Sequence, residues 1–277
     1  MKPDDFTVLF WGVRGSIPCS GPATARYGGN TASVEIRCGS RLLMFDAGTG
    51  IRYLGNQLSE QGPLDADLFL THTHFDHVSG LPFFRPFFRA ENSFRLWAGH
   101  LDGRTTLQQV LKATMSAPLF PVPPEFFRAS MEFRDFRAGE TIVPAAGISV
   151  RTVQLNHPDR ATGYRVDYRG RSVCYLTDTE HVPGVGDKKI LALINGAGFL
   201  IYDAMYTDAE YADGRAGCGH STWQEGVRLC RAAGVQRLIV FHHDPDRSDD
   251  ALDALGREID AAIPGSVVAR EGLVLTP

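Results

Sequence analysis

The run Thr71-His72-Thr73-His74-Phe75-Asp76-His77 lies directly behind the apolar stretch Asp67-Leu68-Phe69-Leu70 and constrains this chain more than any other feature. Three histidines and one aspartate fall within six positions. Imidazole nitrogens and carboxylate oxygens are ligands that Zn²⁺, Mn²⁺ and Fe²⁺ accept readily. Side chains alternate along extended backbone, so His72 and His74 leave the strand end on the same side. Asp76 and His77 then fall where the chain turns into the next element. Four such groups exceed what a single four-coordinate ion takes from one segment, so this loop can serve two adjacent ions. A solvated polar loop accounts for one histidine here, but poorly for four ligand-type groups behind a buried strand.

If this loop holds metal, further ligands must come from other strand ends. Of nine histidines, the useful ones outside 72–77 again follow apolar strands. Val153-Gln154-Leu155-Asn156 leads into His157, Cys174-Tyr175-Leu176-Thr177 into Asp178, and Leu238-Ile239-Val240-Phe241 into His242-His243. Loops at the ends of packed strands are where a rigid scaffold holds reactive groups. Between His242 and His243, the register of the strand end favours His242.

Composition narrows the function classes. The chain has 277 residues and is 43% hydrophobic, enough to bury a core without staples. A formal charge of −4 gives no global basic field, so tight non-specific nucleic-acid binding is disfavoured, while a local basic patch stays open. Cys19, Cys38, Cys174, Cys218 and Cys230 are odd in number and show no C-x-x-C pairing. They read as reduced thiols in a cytoplasmic protein. Met1-Lys2-Pro3-Asp4-Asp5 lacks the basic-then-apolar pattern of a signal peptide, and no apolar run is long enough to span a membrane.

Phe6 to Trp11 reads as a strand that ends in a Gly/Pro/Ser-rich loop carrying Arg14, and 31–37 with 42–45 reads as a hairpin. Asp46-Ala47-Gly48-Thr49-Gly50 is a turn before a helix over 51–59. Residues 67–71 form the strand of the metal motif. Residues 79–89 read as a helix behind it, interrupted by Pro82 and Pro86. Residues 99–130 stand apart. A helical pattern over 106–114 is followed by a proline-rich stretch that continues neither helix nor central strand. This insertion either covers a site or packs on the core. Strands follow at 148–155, 161–168, 172–176, 198–203 and 238–241. A helix capped by Ser221 runs to Ala233 and ends at Gly234. Gly163 and Gly170 read as turn glycines. With no low-complexity linker, the chain is expected to form one domain over 1–277.

The motif order resembles the metallo-β-lactamase-fold hydrolases, and more narrowly their phosphodiesterase branch, which includes tRNase Z. H-x-H-x-D-H is followed by His157, Gly163-Tyr164-Arg165, Asp178-Thr179 and His242, covering roughly residues 70–243. The resemblance implies an α/β fold, a four-layer αββα sandwich with the proline-rich insertion near 99–130. It implies that His72, His74 and His157 bind one divalent ion, that Asp76, His77 and His242 bind the other, and that Asp178 bridges them. The ions would be Zn²⁺ or Mn²⁺, with Fe²⁺ a further candidate. Asp203 in Tyr202-Asp203-Ala204 and His220 in His220-Ser221-Thr222 partly match segments of tRNase Z-like enzymes that supply a proton donor and its orienting carboxylate. Asp76, His220 and Asp203 are thus the catalytic candidates. A histidine held by a carboxylate stays protonated and can hand a proton to a leaving alkoxide. Asp46 resembles the aspartate that braces the metal-loop histidines. Arg14 and Tyr27-Gly28-Gly29-Asn30 lie in loops that could reach a phosphate. His100 and His181 read as surface or packing residues.

The implied chemistry is attack by metal-bound hydroxide on a phosphodiester held between two ions. No Gly/Lys-rich arm for tRNA is visible, so the expected substrate is a small phosphodiester such as a cyclic nucleotide or cyclic phosphate. RNA 3′-end processing is the alternative within phosphoryl chemistry, and ester, lactone or thioester hydrolysis the alternative outside it. A non-enzymatic ligand-binding module has no need of an open dinuclear site. A redox diiron role is disfavoured because His74 stands where such proteins carry Glu and no flavin-binding segment is present. No membrane partner is expected, and the apolar pairs Phe83-Phe84, Phe87-Phe88 and Phe126-Phe127 leave core, pocket lining or a homodimer face open.

Overall fold

The computed structural model describes residues 6–277, so the reading of Met1–Asp5 lies outside the described residues. Fourteen strands are formed among them. The first six are β1 (Phe6–Gly12), β2 (Ser33–Cys38), β3 (Arg41–Phe45), β4 (Asp65–Leu70), β5 (Ser93–Ala98) and β6 (Ser130–Asp135). They continue as β7 (Thr141–Ala145), β8 (Ile148–Leu155), β9 (Ala161–Tyr168) and β10 (Arg171–Leu176). The last are β11 (Phe199–Asp203), β12 (Arg237–Phe241), β13 (Val267–Val268) and β14 (Val274–Leu275). One sheet has the order β14-β1-β2-β3-β4-β5-β6 and the other β13-β12-β11-β10-β9-β8-β7. In the first, β1 to β3 pair antiparallel and β3 to β6 parallel. In the second, β7 to β10 pair antiparallel and β10 to β13 parallel.

Three apolar clusters define the layers. Between the sheets, Phe10, Phe45, Phe69, Tyr164, Tyr175 and Phe241 pack together. Outside the first sheet lie α1 (Ile51–Leu58), α2 (Phe75–Val78) and α3 (Leu107–Thr114), with Leu54, Val78 and Leu111 in one cluster. Outside the second lie α4 (Lys188–Ile194), α5 (Asp208–Glu210), α6 (Trp223–Ala233) and α7 (Asp249–Ala262). On this face α7 buries Leu252, Leu255 and Ile259 at helical spacing, each worth about 1.5–3 kcal/mol. This is the four-layer αββα sandwich. Among the described residues no helix is long and apolar enough to cross a membrane.

Several expectations need correction. Residues 79–89 are not a helix but two short 3₁₀ turns, Leu81–Phe83 and Arg85–Phe88, each with proline at its start. Proline is tolerated at a first helical turn and not beyond it. Helix α6 is capped by Thr222, whose hydroxyl accepts from the Glu225 amide, so it starts later than Ser221 predicts. Gly170 does sit in a turn, with φ of 75°. Gly163 instead lies inside β9, where a Cβ would meet Leu176 at 2.3 Å. In the insertion, α3 carries the reciprocal Thr106–Gln109 cap and packs Leu107 and Leu111 into the outer cluster. All five cysteines are free thiols.

Arg14 does not face a ligand. It is fully buried and donates to the carbonyls of Gly28, Asp244 and Arg247, with its guanidinium 3.7 Å from Asp249. It ties the first loop to the segment that follows His242. Arg14→Met is expected to lower stability by about 3 kcal/mol, because three half-buried carbonyls and the buried Asp249 carboxylate lose a charged partner. Urea unfolding of the two proteins checks this, and an unchanged midpoint would contradict it.

Candidate metal centre

The candidate residues gather because strands end on one rim of the sandwich. Asp46 follows β3, His72 to His77 follow β4, His157 follows β8, Asp178 follows β10, Asp203 ends β11 and His242 follows β12. The carboxyl ends of strands are where open α/β sheets place their ligand sites. Three of these residues adopt left-handed backbone: Asp46 and Asp178 at φ 57° and His242 at φ 60°. Such conformations cost on the order of 1–3 kcal/mol each and gather at functional sites. They turn the side chain sharply off the strand into the site.

Four ligand atoms form a closed cage. His77 Nε2 lies 3.3 Å from Asp76 Oδ2, 3.2 Å from Asp178 Oδ2 and 3.3 Å from His242 Nε2. His242 Nε2 lies 3.3 Å from both carboxylate oxygens. A regular tetrahedron with such edges has its centre about 2.0 Å from each corner, the bond length Zn²⁺ makes to nitrogen and oxygen. The tautomer agrees. His77 Nδ1 donates to Asp46 Oδ2 at 2.9 Å, so Nε2 presents a lone pair to the cage.

A second group lies beside it. One ring nitrogen each of His72, His74 and His157 lies within 4.8 Å of the others, and His74 Nδ1 is 3.1 Å from His157 Nε2. His157 Nδ1 donates to the Gly219 carbonyl at 2.8 Å, again leaving Nε2 bare. His72 Nε2 is buried without any hydrogen-bond partner. An orphaned buried nitrogen aimed at two other imidazoles is accounted for by a cation. Asp178 Oδ1 is 3.8 Å from both His72 Nε2 and His157 Nε2. Its two oxygens thus face the two groups. The residues present fit two divalent ions with Asp178 between them.

The electrostatics favour positive charge at this point. Burial alone would raise the Asp178 carboxyl, but His242, His77 and His72 hold it well below the usual carboxylate range. Burial opposes a charged His77, yet Asp178, Asp76 and Asp46 drive its imidazole well above its ordinary value. His72, which faces mainly other imidazoles, is pushed well below by burial and by His77.

His220 and Asp203 stand at the edge of the cage. His220 Nδ1 is 2.9 Å from Asp203 Oδ2, and its ring stacks on His242 at 5.0 Å between centroids. Burial disfavours the charged imidazole, but the Asp203 charge and hydrogen bond outweigh it and raise the group to about 9. Asp203 is itself fixed by the amides of Thr179 and Met205. With Nδ1 committed to Asp203, Nε2 is the atom that can release a proton.

Other placements differ from expectation or resolve it. His243 Nε2 donates to Ala269 O at 2.7 Å and points away from the cage, which His242 occupies. Asp46 is fully buried and accepts from Thr71, Tyr175 and His77. The sequence reading missed Tyr175, although a tyrosine on the inner face of a buried strand demands a partner for its hydroxyl. His100 is no surface residue; it is buried and pairs with Thr73 Oγ1 at 3.0 Å behind the metal loop. His181 is half-buried and pairs with Ser221. Gly163-Tyr164-Arg165 contributes no ligand, since Tyr164 bonds Leu70 O and Arg165 bonds Asp167 and the Leu193 and Asn195 carbonyls. Gly15 lies against His242, where a Cβ would approach the ring within 2.5 Å.

Residues 41–243 match the family described as Beta-lactamase superfamily domain. Among characterised sequences, the chain is 24% identical to Ribonuclease Z of Haloarcula marismortui, with 95% of this chain and 94% of that one covered. Among solved structures, the fold is similar to the metallo-beta-lactamase fold protein YhfI from Bacillus subtilis, with a TM-score of 0.73, 18% identity and coverage of 99% and 100%. It is also similar to a diphosphatase from the PhnP family, with a TM-score of 0.72, 20% identity and 98% of each chain covered.

Proposed function

This chain belongs to the beta-lactamase superfamily as a metal-dependent hydrolase, and we propose that it hydrolyses a small phosphodiester, such as a cyclic nucleotide or cyclic phosphate, at a site holding two Zn²⁺ or Mn²⁺ ions. One domain carries the whole reaction. The observation that carries this reading is the His220–Asp203 pair beside two cation cages joined by Asp178. When bound, the two ions would supply an activated water and neutralise charge on the phosphoryl oxygens.

The chain's own residues divide the remaining work. His72, His74 and His157 would hold one ion, Asp76, His77 and His242 the other, and Asp178, which faces both groups, would join them. Asp46 and the Gly219 carbonyl set the ring orientations of His77 and His157. His220 delivers a proton from Nε2 to the departing oxygen and regains one from solvent, and Asp203 stabilises the imidazolium that donates it. An alkoxide leaving group needs that proton far more than the thiolate of a thioester does, which supports phosphodiester over thioester chemistry. A panel of bis(p-nitrophenyl) phosphate, a carboxyl ester, a lactone and a thioester tests this. Turnover confined to the last three would sink the proposal.

RNA 3′-end processing is the second reading, supported by the likeness to relatives called Ribonuclease Z. Against it stands the insertion, where Lys112 is the only lysine within 99–130, giving little basic surface to hold a polyanion. The rim favours a compact organic substrate. Phe75 sits between His74 and Asp76 and is 71% exposed, an apolar ring with no packing role beside the cage. Stacking on an aromatic ring is worth about 1–3 kcal/mol. Phe75→Ala is therefore expected to raise KM for an aromatic phosphodiester roughly fivefold or more, with kcat changed less than about threefold. Equal KM values for the two proteins would remove Phe75 from substrate binding.

A further inference from the structure

We propose that Glu180 is the positioning residue that holds both the proton donor and one metal-ligand imidazole in register. It lies two residues beyond Asp178, where three strand-end loops converge. Its backbone is tied to the loop of His157: the Glu180 amide donates to Asn156 O at 2.7 Å and Asn156 Nδ2 donates to Glu180 O at 2.9 Å. Its carboxylate reaches the opposite way, into the segment that leads to His220. It accepts from Tyr211 Oη at 2.7 Å, from the Gly217 amide at 2.6 Å and from the Gly219 amide at 2.8 Å.

That segment needs an external anchor. Asp213 and Gly214 leave helical geometry, and Gly214, Gly217 and Gly219 all have positive φ. Residues 212–218 are exposed, so packing contributes little to their position. A glycine-rich loop without packing samples many conformations unless hydrogen bonds select one. Three of its donors end on this one carboxylate. The anchored end is also where the chemistry sits. Gly219 O accepts from His157 Nδ1, which fixes the tautomer that presents Nε2 to its ion, and His220 is the next residue. A Cβ on Gly219 would lie 2.6 Å from His157 Nδ1, so the approach is as close as the backbone allows. Glu180 belongs to neither ligand cage. It acts through Gly219 on His157 and through the loop on His220.

Glu180→Gln keeps the shape, but its amide can no longer accept from three donors with both terminal atoms. This proposal rests on the reading of His220 as proton donor and is tested beside His220→Ala. Four measurements are made on wild type and both variants: circular dichroism, amide hydrogen exchange over 211–219 in metal-free protein, Zn²⁺ affinity by chelator competition, and kcat across aryl phosphodiesters from p-nitrophenyl to phenyl. The expected Glu180→Gln protein is folded, exchanges over 211–219 at least tenfold faster, and binds its weaker Zn²⁺ about 10–100-fold less tightly, as removal of an outer partner of a ligand does. Its kcat falls at least tenfold more for phenyl than for p-nitrophenyl, with KM within threefold. Wild-type exchange and Zn²⁺ affinity in Glu180→Gln would overturn the proposal. So would a uniform kcat loss across the series when His220→Ala shows a steep one. A uniform loss in His220→Ala itself would instead remove the proton-donor reading. Glu180 would then stand or fall on loop exchange and Zn²⁺ affinity alone.

Discussion

Replacing Asp178 with alanine is expected to lower phosphodiester turnover by at least about a thousandfold, roughly 4 kcal/mol of transition-state stabilisation. The reason is the division of its two oxygens. Oδ2 closes the tetrahedral cage of Asp76, His77 and His242, and Oδ1 faces His72 and His157. Removing it would take an anionic ligand from both ions and leave a ligand set of five imidazoles and one carboxylate, Asp76. Alanine also loses the left-handed backbone that Asp178 adopts at φ 57°. Asp178→Asn separates the two effects, because asparagine tolerates that conformation and keeps the volume while losing the charge. Both variants are expected to bind fewer than two ions per chain by elemental analysis, and Asn is expected to be the better folded. A Asp178→Asn enzyme with two tightly bound ions and near wild-type kcat would contradict the bridging role.

His220→Ala is expected to cost about 10²–10⁴ in kcat, the usual contribution of a positioned proton donor, with the loss growing as the leaving group becomes more basic. The pH profile gives an independent reading. The donor must be protonated. Asp203 outweighs burial and raises His220 to about 9, so the competent form dominates below that pH and is lost as pH rises through it. Two cations in the neighbouring cages repel the imidazolium and lower the value, so the basic limb of kcat in the loaded enzyme is expected below pH 9. Asp203→Asn should move that limb further down, since it removes the charge that supports the proton. His220→Ala should abolish the limb. A basic limb that persists unchanged in both variants would assign it to another group.

What could be read from sequence follows from how far each signal reaches along the chain. The strand-end residues were legible because each follows an apolar run long enough to mark a buried strand, as Leu238 to Phe241 does before His242. The parallel ends of β10, β11 and β12 are adjacent in one sheet, so readings made separately converge in space. Strand β5 was missed although Phe94, Leu96 and Ala98 alternate cleanly with more exposed positions, whereas β6 and β7 were not legible. The exposed positions in Ser130–Asp135 and Thr141–Ala145 reflect their places at sheet edges, where burial imposes little pattern. Helices α4 and α7 were missed as well, although Asp187 and Ser248 cap them and the Leu252, Leu255, Ile259 spacing was present. Arg14 shows the opposite failure. An arginine in a glycine-rich loop near an anionic-ligand site invites a substrate role, and only the tertiary structure reveals that carbonyls 14 to 233 residues away enclose it. The left-handed backbone at Asp46, Asp178 and His242 carries no local signature beyond residue type, because Asn, Asp and His are only enriched in it and mostly adopt other conformations.

The most direct test of this account is a count of bound ions. Metal-free protein would be titrated with Zn²⁺ and the bound ions counted by native mass spectrometry, with His77→Ala, His157→Ala and the double variant as partners. Two ions per wild-type chain, one in each single variant and none in the double variant are expected. One ion or none in the wild type, or one ion retained by the double variant, would contradict the two-cage centre from which the proposed chemistry follows.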